Sequence, residues 1–267
     1  MSLKSRLRRV LELTGLIGPC YRWREARLAA VVSESVDDGL PMPPSALITL
    51  ISSTAGQRWY SERGREDAAQ FRALATEQGV DLSDPRTVLD WGVGCGRIAR
   101  WLAAEVTARG GQFLGVDIHP KLFAWCAGAL PGRYLRTRLR PPLPFADHSL
   151  DLVYSHSVLT HLTEATARAW LAELRRLLKP GGCALLTFHD ETYAQAWGPP
   201  EVRARLATED YVVWNNALEG SNYLSAWTSR AYFRQLAAAG FTVAKIVEGG
   251  ADFPSQAIAV LRPKDLP

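Results

Sequence analysis

Through the first 84 residues apolar positions recur at helical spacing, whereas after Pro85 they gather into short runs separated by helical stripes. Near the start, Leu3, Leu7, Val10 and Leu11 fall on one helical face, with Arg6, Arg8 and Arg9 largely on the others. Gly39-Leu40-Pro41-Met42-Pro43-Pro44 predicts a loop, because each proline fixes its own backbone and disfavours helix in the residue before it. A further helix is predicted over 66–78. Residues 1–84 therefore read as an N-terminal helical extension.

The later pattern predicts strands at 87–90, 113–117, 134–137, 151–155 and 183–189. Ala167, Trp170, Leu171, Leu174, Leu177 and Leu178 form one stripe of a helix that stops at Lys179-Pro180-Gly181-Gly182. A helix over 229–239 and apolar runs at 241–247 and 257–261 complete the series. Alternating strands and helices generate a mostly parallel sheet covered on both faces. The expected fold of residues 85–267 is α/β, a doubly wound, seven-stranded Rossmann-like sheet. One long insertion, 193–228, carries Trp197, Tyr211, Trp214, Tyr223 and Trp227 and is expected over the acceptor side of the site.

Composition narrows the function classes. The net charge is +4, and much of the excess lies near the start, which suits a solvated helix face, contact with a membrane surface or, less well, nucleic acid. Cys20, Cys95, Cys126 and Cys183 are scattered, without the spacing of a disulfide framework or zinc site, so a reducing cytoplasm is expected. No apolar run approaches the length of a membrane span.

Candidate chemistry begins at Val88-Leu89-Asp90-Trp91-Gly92-Val93-Gly94-Cys95-Gly96-Arg97, an apolar strand running into a glycine-rich turn and then a helix. A dinucleotide fingerprint counted from Gly92 and Gly94 would place its third glycine where Arg97 stands. Asp90 is also ill placed beside a pyrophosphate and well placed beside a cation such as an ammonium or sulfonium. Downstream, Phe113-Leu114-Gly115-Val116-Asp117 ends in a carboxylate at the spacing of a ribose-hydroxyl acceptor.

These motifs resemble those of the class I S-adenosylmethionine-dependent methyltransferases. Pro141-Pro142-Leu143-Pro144-Phe145, Leu150-Asp151-Leu152-Val153-Tyr154-Ser155 and Leu178-Lys179-Pro180-Gly181-Gly182 resemble the family's later motifs. Ser157-Val158-Leu159-Thr160-His161-Leu162 is similar to its small-molecule branch. The resemblance implies S-adenosylmethionine as cofactor, held by Asp90, Trp91, Gly92, Gly94, Gly96, Asp117, Ile118, Ser155 and His156. Two departures are Arg138 and Arg140, where relatives often carry an acid or amide that reads adenine, and Gln256-Ala257, where they often show Gln-Asp.

Methyl transfer to a hydroxyl needs alignment and a base, with no requirement for a metal. Ligands bind at the carboxyl edge of such sheets, which singles out His156, His161, His189 and Asp190. His189 is the expected base, with His161 as the alternative and Asp190 as orienter of His189 or as a turn cap. Cys95 is expected to pack as a small side chain. The signatures of base N-methylation, of cytosine C5 methylation and of aminopropyl transfer are missing from the segment after the fourth strand. The expected activity is O-methylation of a small or lipid-linked acceptor. The rivals are N-methylation of an amine, RNA modification, and a cofactor-binding interaction protein without turnover.

Overall fold

The computed structural model describes residues 35–264 except 53, 55, 215, 252 and 254, and before residue 35 only 14, 16, 18–20, 23 and 27. The helix predicted around Leu3, Leu7, Val10 and Leu11 lies outside the described residues. Helices α1 (Ser45–Ile51) and α2 (Gln57–Glu77) precede the sheet. The central unit runs β1 (Thr87–Trp91), α3 (Ala99–Ala108), β2 (Gln112–Asp117), α4 (Pro120–Ala129), β3 (Arg133–Arg136), β4 (Leu150–Ser155), α5 (Glu164–Leu177) and β5 (Leu178–Phe188). Beyond it come α6 (Glu191–Trp197), α7 (Pro200–Leu206), β6 (Tyr211–Trp214), β7 (Ser225–Thr228), α8 (Arg230–Ala237), β8 (Phe241–Val247) and β9 (Ala257–Pro263).

Seven strands form one sheet in the order β3-β2-β1-β4-β5-β9-β8, and β6 pairs with β7 in a separate ribbon. The first five are parallel, whereas β9 runs antiparallel to both β5 and β8. The strand order reverses between β1 and β4, so their carboxyl ends splay apart and open a crevice. Both faces are covered. Leu89, Leu171, Leu174 and Phe188 belong to one core, and Val88, Leu102, Leu152 and Phe71 to the other. Each fully buried side chain of this size contributes about 1.5–3 kcal/mol, and α5 brings Trp170, Leu171, Leu174 and Leu177 to the sheet on one stripe. Thr163 caps that helix, its hydroxyl oxygen accepting from the Thr166 amide.

Two boundaries differ from expectation. Helix α2 starts at Gln57 rather than near 66, because Gly64 inside it lets the helix lie directly on the chain at Arg97. Strand β5 starts at Leu178, so the Lys179-Pro180-Gly181-Gly182 stop is taken into the sheet, where β4 opposes it through a bulge between Leu150 and Leu152. Among the described residues no helix is long and apolar enough to cross a membrane.

Candidate active site

A cavity of about 1050 Å³ opens at the carboxyl edge of the sheet. Its floor includes Asp90, Gly92, Gly94 and Asp117 at the ends of β1 and β2, and His156, Ser157 and His161 after β4. Its roof comes from α1 and from residues 220–223 between β6 and β7. The two parts of the roof meet, with the Asn222 side-chain amide donating to the Leu50 carbonyl.

Strand β1 carries Asp90 to the floor, where it is only 3 % exposed. Burial pushes its carboxyl up to about 7; the Tyr154 hydroxyl opposes the shift and the neighbouring Asp117 adds to it. A buried acid of this kind gains most from a cationic ligand. Asp117 is fixed by two backbone amides, His119 N–H donating to Oδ1 at 2.7 Å and Gly94 N–H donating to Oδ2 at 2.9 Å. Each oxygen keeps lone-pair capacity for a ligand hydroxyl.

Between the two acids the chain turns through positive φ at Gly92 (84°) and Gly94 (55°), a conformation suited to glycine. The turn sits tight between the cavity walls: a Cβ on Gly92 would lie 2.1 Å from Val158 Cγ2, and one on Gly94 3.0 Å from Ile51 Cγ2. Four of the turn amides are already used. Gly92 and Val93 donate to the Val116 carbonyl, Gly94 to Asp117 and Gly96 to the Val93 carbonyl. A dinucleotide site needs such amides free for its pyrophosphate, and here an acid stands beside them.

The three histidines differ sharply. His161, in a short helical turn (Leu159–His161), places Nδ1 2.6 Å from the Leu224 carbonyl. That bond requires the proton on Nδ1 and leaves Nε2 with a free lone pair. Its backbone carbonyl accepts from Gly220 N–H at 3.0 Å, so the 218–224 loop holds the residue twice. Burial lowers its pKa below the usual 6.5, with the Leu224 bond opposing. Ser157, at φ 67°, places Oγ 3.5 Å from Nε2 and 2.8 Å from Thr160 Oγ1. Gln256 donates to Ser157 Oγ at 3.0 Å and accepts from Thr187 at 2.7 Å, and Thr187 in turn accepts the Ser157 amide at 2.7 Å.

His156 lines the cavity 3.6 Å from Asp67 of α2, which also forms a buried ion pair with Arg97. Burial pushes its pKa down to about 4, against the pull of Asp67 and with help from Arg97, so the imidazole is neutral. His189 lies behind Tyr193, stacked on its ring with centroids 3.9 Å apart and planes 8° apart. Its pKa falls well below the usual value, chiefly through burial and then through repulsion from His161.

A family model described as a methyltransferase domain matches residues 89–186, the span from β1 to β5 that carries this turn and both acids. Over these residues the chain is similar to the methyltransferase domain family. The methyltransferase domain is 34 % identical over 134 residues to an uncharacterized methyltransferase of Mycobacterium sp. (strain KMS), covering 49 % of this chain and 50 % of the relative. A dimethylglycine N-methyltransferase of Parasynechococcus marenigrum (strain WH8102) is 35 % identical over 116 residues, 40 % of each chain. The chain thus spans half or less of the length of these relatives. Among solved structures, an S-adenosylmethionine-dependent methyltransferase from Mesorhizobium loti superposes with a TM-score of 0.54 at 19 % identity, covering 73 % of this chain and 96 % of that one. A Pyrococcus horikoshii OT3 protein gives 0.53 at 19 %, covering 77 % and 95 %. These two likenesses are of fold.

The methyltransferase domain brings Asp90, Trp91, Gly92, Gly94, Asp117, Ile118, His156 and His161 to one cavity. Four expected residues are not there. His189 is stacked against Tyr193, and Asp190 caps α6, accepting from the Tyr193 amide at 2.9 Å, so this pair does not line the cavity. Ser155 is fully buried beneath the floor, and Gly96 faces α4, where a Cβ would lie 3.2 Å from Cys126 Sγ. Of the five aromatics singled out in the insertion only Tyr223 lines the cavity; Trp227 is core and Trp197 is exposed. Cys95 is buried, its thiol pushed up to about 12 by burial. The Asp67–Arg97 pair and the Thr187–Gln256–Ser157 chain were missed. Gln256, a polar residue directly before an apolar strand, was the one available signal.

Proposed function

We propose that the protein transfers a methyl group from S-adenosylmethionine to a hydroxyl of a small or lipid-linked acceptor, with His161 as the proton acceptor. The observation that carries this reading is that a buried acid, Asp90, and an imidazole with a free Nε2, His161, line one cavity. Bound there, S-adenosylmethionine supplies an electrophilic methyl on a sulfonium, open to in-line displacement. Asp90 balances the donor's positive charge, and Asp117 accepts from its ribose hydroxyls. Gly92 and Gly94 keep the floor free of side chains.

His161 is neutral at physiological pH, and Nε2 takes the proton of the acceptor hydroxyl as the new bond forms. The imidazolium so formed keeps Nδ1–H on the Leu224 carbonyl. Ser157 Oγ accepts the Gln256 amide and can donate to Thr160, which leaves Nε2 aimed at the acceptor.

N-methylation is the second reading, favoured by the named activity of the Parasynechococcus relative; an uncharged amine needs less help from a base. The test is methyl transfer from labelled donor to a panel of sugars, phenols and amines. With a hydroxyl acceptor, His161→Gln lowers kcat roughly 10²–10⁴-fold and leaves cofactor affinity unchanged, whereas His189→Gln has the smaller effect on kcat. Full turnover by His161→Gln sinks the base assignment.

A further inference from the structure

The rim of the cavity divides into two chemically distinct stretches. Between Asp117 and Asp147 the chain contains no acidic residue, yet it carries Lys121, Arg133, Arg136, Arg138 and Arg140. All five are exposed. Lys121 and Arg138 line the cavity, Arg136 donates to the Ile118 carbonyl beside it at 3.3 Å, and Arg133 lies three residues earlier on the edge strand β3. Arg140 faces Glu219, and the other four form no ion pair among the described residues. The remaining stretch is uncharged from Gly39 to Arg58, and its helix α1 presents Ala46, Leu47 and Leu50 to the cavity.

Exposed non-polar side chains gather at the same opening. Ile118 (37 % exposed) and Trp59 (36 %) line it. Phe253 (39 %) lies under the Arg63 guanidinium one helical turn beyond Trp59, two residues before the lining residue Ser255. Unpaired cations beside aliphatic and aromatic groups match the layers of an anionic membrane, whose headgroups attract Lys and Arg while Trp and Phe enter the interface. A nucleic acid strand is a poorer match: the exposed non-polar group among the cations is aliphatic Ile118, which offers no stacking face, and the α1 stretch offers a polyanion no charge.

We propose that the mouth of the cavity docks on an anionic lipid bilayer, so that the acceptor is drawn from that surface. The proposal rests on the methyl-transfer reading only for what enters the cavity. Its test is co-sedimentation of the full chain with phosphatidylcholine vesicles, with and without phosphatidylglycerol. Binding is expected to the anionic vesicles alone and to weaken as salt rises. Arg133→Gln with Arg136→Gln, both outside the cavity lining, lowers the partition coefficient roughly 30-fold, and Arg133→Glu with Arg136→Glu lowers it further. Arg109→Glu, at the opposite edge of the sheet, leaves it unchanged. Thermal melting establishes that each variant is folded, and the glutamine pair stands in should the glutamate pair not fold. Absence of vesicle binding, equal binding by the paired variants, or salt-sensitive binding to single-stranded RNA in place of vesicles overturns the proposal. Calorimetry with S-adenosylmethionine separates the two readings: vesicle binding without cofactor uptake keeps the docking and removes the transferase.

Discussion

At the scale of single residues, Asp90 links the fold to the ligand. Its carboxyl titrates at about 7 because burial penalises the charged form. A cationic ligand favours that charged form, so below pH 7 binding must first release the proton. Affinity for S-adenosylmethionine should therefore fall about ten-fold per pH unit below roughly 7 and level off above it. Calorimetry across this range checks the profile, and Asp90→Asn should weaken binding and flatten it. A flat profile in the unaltered protein would remove the electrostatic role. Asp90 and Asp117 were legible in the sequence because an acid, a glycine turn and a helix stripe are local in the chain. The choice between His161 and His189 was not. It depends on where the distant 218–224 loop places the Leu224 carbonyl and on how α6 lays the Tyr193 ring against His189.

Among the elements, β1, β2, β4 and β5 were readable because strands buried on both faces are largely apolar runs, whereas the edge strand β3 showed only Tyr134 and Leu135. The first half of α2 was not, since Gln57 to Arg65 mixes charges with Trp59, Tyr60 and Gly64 and shows no clean stripe. Its logic is close approach. A Cβ at position 64 would lie 2.3 Å from the Arg97 carbonyl oxygen and 3.1 Å from Trp101 Nε1, and the nearer obstacle is backbone. Gly64→Ala gains helix propensity, worth about 0.8–1.0 kcal/mol, but must push α2 off α3. We expect a net loss of about 1–3 kcal/mol, read as a lower midpoint in urea unfolding. The same displacement would loosen Asp67 from Arg97 and His156. Unchanged or raised stability would show that the two helices have slack between them.

For the whole molecule, the segment before α1 is sewn to the sheet domain. Arg100 of α3 has a side chain with no exposure, and it donates to both oxygens of Asp38 and to the Leu40 carbonyl. Asp38 also accepts the Ser61 hydroxyl of α2. Removing one partner of a buried pair strands the other, at a cost of about 3–5 kcal/mol. Asp38→Ala should lower the melting temperature accordingly, whereas Glu209→Ala, which removes the exposed pairing with Arg205, would move it little. Calorimetric melting decides. The sequence marked this stretch only as a proline loop, because Asp38 and Arg100 lie far apart in the chain and meet only once the sheet is folded.

The bond from His161 Nδ1 to Leu224 sets which nitrogen accepts protons, and that carbonyl belongs to the arm between β6 and β7, outside the sheet. Grafting a foreign arm onto this scaffold to broaden its appetite for acceptors would therefore also re-aim the imidazole. With His161 as the proposed base, selectivity and reactivity are inherited as one piece.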